Sequence, residues 1–235
     1  QILHIVNADP RRTPTFTLFG NPDFYFQTSC DASSTIPGCP IQGQGFAWNH
    51  GDIQPEIAST WQGWVGPGIR DLGETGSVWT DHTDVRPTML ALLGLHDDYA
   101  GDGAAIAQIV TPSALPWSIR VARGPYDRLE AALKQVDAPF GEFGLNTLKA
   151  DTTAIESLSP GDSTYTGMDS QLQGCETARE ALVARIQSVL GAAEDGAAPV
   201  SSVEADSLSS QADALIAAAG SLAGDSTPPA TPACG

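Results

Sequence analysis

Two short stretches carry residue types able to do metal or phosphate chemistry. The first is Asn49-His50-Gly51, where a lone imidazole follows Phe46-Ala47-Trp48. Imidazole binds zinc well, but a zinc site needs three or four ligands, so a hydrogen-bonded structural His50 competes with a metal-ligating one. Asp52 beside it could orient the ring or sit in a solvated turn. The second stretch is Asp81-His82-Thr83-Asp84, two carboxylates around an imidazole. It lies ahead of Pro87 and the apolar Met89, Leu90, Leu92 and Leu93, which reads as a helix-capping turn, with a metal or phosphate contact as the alternative. His4 and His96 lack such neighbours and read as surface or core residues.

Four cysteines add redox chemistry. Cys30 and Cys39 bracket a loop rich in Ser, Pro and Gly, a setting for a local disulfide, with free thiols as the alternative. Cys175 and Cys234 are far apart and read as unpaired unless the tail folds back. The Cys30–Cys39 pair points to an oxidising compartment.

The elements that must position these residues change character along the chain. Residues 15–19 and 24–26 are β-branched and aromatic and read as strands around the turn 20–23. Gly51 lets the chain turn after His50, which would leave the imidazole at a strand end. Residues 57–65 read as an apolar strand closed by Gly66-Pro67-Gly68, and Gly94 ends the helix that follows. Beyond Pro116 strand signals stop. Leu129, Leu133 and Val136 fit one helix; Leu145, Leu148, Thr152 and Ile155 fit a second. Leu172, Cys175, Leu182, Ile186, Val189 and Leu190 fit a third, and Val203, Leu208, Ala212, Leu215, Ala219 and Leu222 a fourth. These predict an antiparallel hairpin or small bundle over 116–223, with a disordered Pro, Thr and Ala tail over 224–235.

Charge excludes one class of partner. With 28 Asp+Glu against 11 Lys+Arg the net charge is −17, which repels phosphate backbones and argues against a nucleic-acid groove. A small phosphate ester could still bind where metal ions invert the local charge. No apolar run approaches the roughly 20 residues of a membrane span.

In its order and spacing, the stretch from Phe46 through His50-Gly51, Gly66-Pro67-Gly68 and Asp81–Asp84 to Gly94 resembles the last section of the core domain of the alkaline phosphatase superfamily, nearest its secreted phosphodiesterase-like phosphoesterases. The resemblance spans about residues 1–110. It implies an α/β fold: the C-terminal part of an alkaline-phosphatase-like sheet domain over 1–115, followed by the helical extension. It also implies that His50 is a ligand of a two-zinc site, and that Asp81–Asp84 caps the next helix. The family nucleophile and its other ligands lie upstream of this section, so the expectation is a C-terminal portion of a secreted, metal-dependent phosphoester hydrolase acting on a small phosphoester. Alone it would be inactive and prone to associate through an exposed sheet edge or helical faces. The alternative is a secreted, non-catalytic scaffold or interaction module derived from such an enzyme.

Overall fold

Apolar residues at helical spacing organise the chain beyond Pro116, and the computed structural model shows what they build. It describes residues 53–99, 101–157, 160–225 and 227–234, together with Asp9, 11–14, Thr17, Phe19, Gly20 and Phe24. The described residues fall into two compact units that divide at Val65–Gly66.

In the first unit, α1 (Pro55–Ala58) is a single turn. Residues 59–65 follow it without regular structure.

The second unit is a helical bundle. α2 (Val85–Leu93) ends at Gly94, whose φ of 63° is the left-handed conformation that glycine adopts most easily. After the short α3 (Trp117–Val121) come α4 (Arg123–Asp137), α5 (Glu142–Glu156), α6 (Ser163–Glu194) and α7 (Ser202–Gly224). Each of α4 to α7 packs on the other three. α4 contributes Leu129, Leu133 and Val136 to the core, and α6 contributes Met168, Leu172, Ile186 and Leu190. α7 supplies Ala205, Leu208, Ala212, Leu215, Ala219 and Leu222, a spacing of three and four that keeps one stripe inward over its whole length.

The expected α/β fold is corrected: among the described residues the protein is an all-helical bundle without a sheet. Its one β pairing there is an antiparallel bridge between Ile69 and Val110. The Arg70 and Thr111 N–H groups donate to Ile109 and Gly68 carbonyls, each at 2.8 Å. The strand read over 57–65 is α1 and irregular chain, with Trp61 87% and Val65 100% exposed. This apolar run had no partner strand, among the described residues, to accept its backbone bonds. Most of the strands expected over 15–19 and 24–26, and the Cys30–Cys39 loop, lie outside the described residues.

One helix buries a different face from the one expected. α5 turns Phe143, Thr147, Ala150 and Ala154 inward, while Leu145, Leu148 and Ile155 of the predicted stripe stay 42%, 37% and 62% exposed. Small residues allow the close approach to α7, and the larger apolar side chains are left outside.

Cys175 and Cys234 form a disulfide, because the tail does fold back. Within the tail expected to be disordered, residues 227–234 are tied to α6. Gln171 Nε2 donates to Pro229 O at 3.0 Å, and Ala233 N–H donates to Gln171 Oε1 at 2.9 Å. The bond closes a loop of sequence separation 59. Loop-closure entropy makes that worth up to about 4 kcal/mol. Replacing both cysteines by serine should lower the thermal unfolding midpoint followed by circular dichroism; an unchanged midpoint would show that the tail adds nothing to the bundle.

Candidate functional site

Residues 103–110 cross the bundle as a buried, mostly non-helical strap, with Ala104, Ala105, Ile106, Ala107 and Val110 at most 2% exposed. Backbone N–H groups shut away from water need acceptors. Side chains provide three in succession. Ala104 N–H donates to Asp84 Oδ1 at 3.0 Å, Ala105 N–H to Glu194 Oε1 at 2.7 Å, and Ile106 N–H to Thr88 Oγ1 at 2.9 Å.

Asp84 is held by a capping box around the 3-10 turn His82–Asp84. Asp81 Oδ1 accepts from Thr83 N–H at 2.7 Å, and Asp84 Oδ2 accepts from Asp81 N–H at 2.9 Å. Two acids at this spacing close a turn because each reaches the other's backbone. The turn passes into α2, where Thr88 Oγ1 donates to Asp84 O at 2.7 Å.

α4 faces this turn and strap with Tyr126, Glu130 and Lys134, which lie one above another at a spacing of four. Lys134, 2% exposed, ion-pairs with Asp84 and reaches Asp81 Oδ2 at 2.9 Å. Gln108 Nε2 donates to Glu130 Oε2 at 3.1 Å. The Tyr126 hydroxyl lies 2.6 Å from Glu194 Oε1 and 3.0 Å from Ala105 O.

One buried cation therefore serves several acids, and their titration divides accordingly. Burial would lower the Lys134 ammonium, but Asp84 and Asp81 outweigh it and hold it above its ordinary value. Burial pulls Asp81 upward, yet Lys134 and Thr83 keep its carboxyl below the usual value. At Asp84 burial prevails over Lys134 and raises the carboxyl. Burial lifts Glu130 to about 7 against the pull of Lys134 and Gln108. Burial likewise lifts Glu194 to about 7, against its bonds from Tyr126 and Ala105.

The sequence-derived site residues fare differently. Asp81 and Asp84 come together as the capping turn. Their oxygens are taken by backbone N–H groups and Lys134, an arrangement that does not fit zinc ligation. His82 and His96 are exposed. Among the described residues no group of three or more His, Cys, Asp or Glu is placed to hold a metal ion. His50 and Asp52 lie outside the described residues. Sequence reasoning missed Thr88, Tyr126, Glu130, Lys134 and Glu194. The signal for three of them was present: a polar stripe at 126, 130 and 134 beside the apolar stripe of Leu129 and Leu133 on one helix.

No protein-family model matches the chain, and neither does any curated protein or solved structure.

Two outcomes follow from this geometry. Lys134→Met leaves Asp81 and Asp84 without their cation and should destabilise the protein by about 3–5 kcal/mol in urea unfolding, against a small effect for a surface Lys149→Met control. Glu130 holds its proton more tightly folded than unfolded, so its stabilisation is complete below its ordinary 4.5 and lost as pH rises through about 7. That loss amounts to about 3 kcal/mol across the window. Unfolding curves measured across it should show Glu130→Gln with a flatter pH dependence than the parent; parallel profiles would mean that the buried carboxyl does not titrate there.

Proposed function

We propose that this chain is a secreted, non-catalytic scaffold or interaction module of the phosphoester-hydrolase lineage. The observation that carries this reading is how its acidic residues are used. Asp81, Asp84 and Glu194 are bonded to backbone N–H groups, Lys134 and Tyr126, so they fasten the strap and α2 to the bundle. A general base or metal ligand must keep a lone pair for its substrate or ion; Asp81 and Asp84 give both oxygens to the fold, and Glu194 commits its Oε1 to it. The Cys175–Cys234 disulfide supports an oxidising compartment. The outward Leu145, Leu148 and Ile155 of α5 offer an apolar contact surface for a partner.

A second reading keeps the chain as the C-terminal portion of a two-zinc phosphoester hydrolase, with His50 as a metal ligand. What supports it is the capping turn Asp81–Asp84, the helix Val85–Leu93 and its Gly94 stop, local elements that the resemblance also implied. The acids described here would not add to such a zinc site, so its remaining ligands and its nucleophile would come from elsewhere.

Zinc content and hydrolysis of bis(4-nitrophenyl) phosphate, measured on the purified chain and on His50→Ala, separate the two. The scaffold reading expects no hydrolysis and no tightly held zinc in either. Zinc-dependent turnover that disappears in His50→Ala would overturn it and install the enzyme reading.

A further inference from the structure

The second unit holds a cavity of about 420 Å³ between α2 with the 95–103 segment and the last turns of α6. That volume suits a small organic molecule. Leu90, Leu95 and Leu190 give it apolar walls, while Gln187, Ser188 and Glu194 supply polar atoms.

The charges around it are unequal. Arg86, the cation on the wall, is already matched: it ion-pairs with Asp97 and lies over the Tyr99 ring at 4.5 Å. Glu194 and Asp195 also line the cavity, and neither has a salt-bridge partner among the described residues. The C-terminal end of α6 adds the negative pole of a helix dipole at the same place. Glu194 is held in place as well as charged. Its Oε1 is pinned by Ala105 N–H and Tyr126, and its Oε2 has no hydrogen-bond partner among the described residues.

We propose that this cavity binds a small organic cation, an ammonium group on a compact apolar body, with the ammonium on Glu194 and the body against Leu90, Leu95 and Leu190. An anion would meet Glu194 and Asp195 with Arg86 already engaged. A neutral apolar molecule would fill the walls but leave the carboxylate unpaired. The groups facing Glu194 are Tyr126 from α4, Asp84 from the capping turn and Asp195 from its own helix end. Tyr126 is a neutral donor and the other two are acids, and the lining cation Arg86 is engaged by Asp97, so a bound cation adds the charge that is missing. Binding should strengthen as Glu194 ionises through about 7.

Benzylamine is a suitable probe, titrated into the whole chain by calorimetry and by NMR shifts of the α2 and α6 amides. Saturable binding is expected, stronger at about pH 8 than at about pH 6. Benzyl alcohol and benzoate should bind at least about tenfold more weakly. Glu194→Gln should abolish the pH dependence and weaken binding. Because Glu194 also supports the strap, Gly191→Leu provides an independent check. Gly191 lines the cavity, and a Cβ added there meets nothing within 4 Å, so the new side chain should occupy the cavity without disturbing the bundle. That variant should melt at the parental temperature or above and lose benzylamine. Equal binding of the three probes, unaltered binding in a folded Gly191→Leu variant, or no saturable binding by the folded parent would each overturn the proposal.

Discussion

The structure depends on a backbone that has gone inside without becoming a helix. Residues 104–106 present consecutive N–H groups to the interior, and each would cost about 1–3 kcal/mol if left without an acceptor. Asp84, Glu194 and Thr88 supply those acceptors from the capping turn, from α6 and from α2. Each acceptor carries a further requirement. Asp84 buried as a carboxylate calls for Lys134, and Lys134 fixes how α4 lies against the turn. The backbone must also come close: a Cβ on Gly103 would sit 2.3 Å from Thr83 C, so only glycine lets the strap begin where it does.

The same requirement explains the uneven titration. A buried charge is tolerable where an opposite charge and hydrogen bonds replace its hydration. Asp81 and Asp84 share Lys134, whereas Glu130 receives one amide hydrogen from Gln108 and Glu194 receives a backbone N–H and the Tyr126 hydroxyl. Neutral donors do not offset burial as fully as an ammonium does. The two glutamates therefore climb to about 7 while Asp81 falls below its usual value, and the fully buried Asp84 rises even with Lys134 beside it.

Local signals were legible in the sequence and long-range ones were not. The helices of 129–136, 172–190 and 203–222 announced themselves by spacing, although Val203 of the last stripe stays exposed, and Gly94 by its place after an apolar run. The turn Asp81–Asp84 was legible too, because a capping box is made within four residues. The face of α5 was misjudged because hydrophobicity alone favours Leu145, Leu148 and Ile155, whereas close packing selected Ala150 and Ala154. The sheet was expected from the resemblance and from an apolar run at 57–65 that has no pairing partner among the described residues. Glu194 could not have been placed, since its partners Ala105 and Tyr126 are 89 and 68 residues away in sequence. Nor could the Cys175–Cys234 bond, whose closure depends on the tail returning along α6.

Glu194 belongs to two structures at once, and this makes them interdependent. One carboxylate oxygen holds the strap through Ala105, and the side chain forms part of the cavity wall beside α2. A proton on Glu194 relieves its repulsion with Asp195 and Asp84 but removes the charge that would attract a cation. A cation in the cavity would supply the same relief from outside and leave the carboxylate ionised to accept from Ala105 and Tyr126. Proton and organic cation are thus alternative solutions to one electrostatic problem, and by linkage each must weaken the other's hold. At acid pH the proton fills that role; above about neutral, where Glu194 ionises, the cavity wall is most in need of an added positive charge.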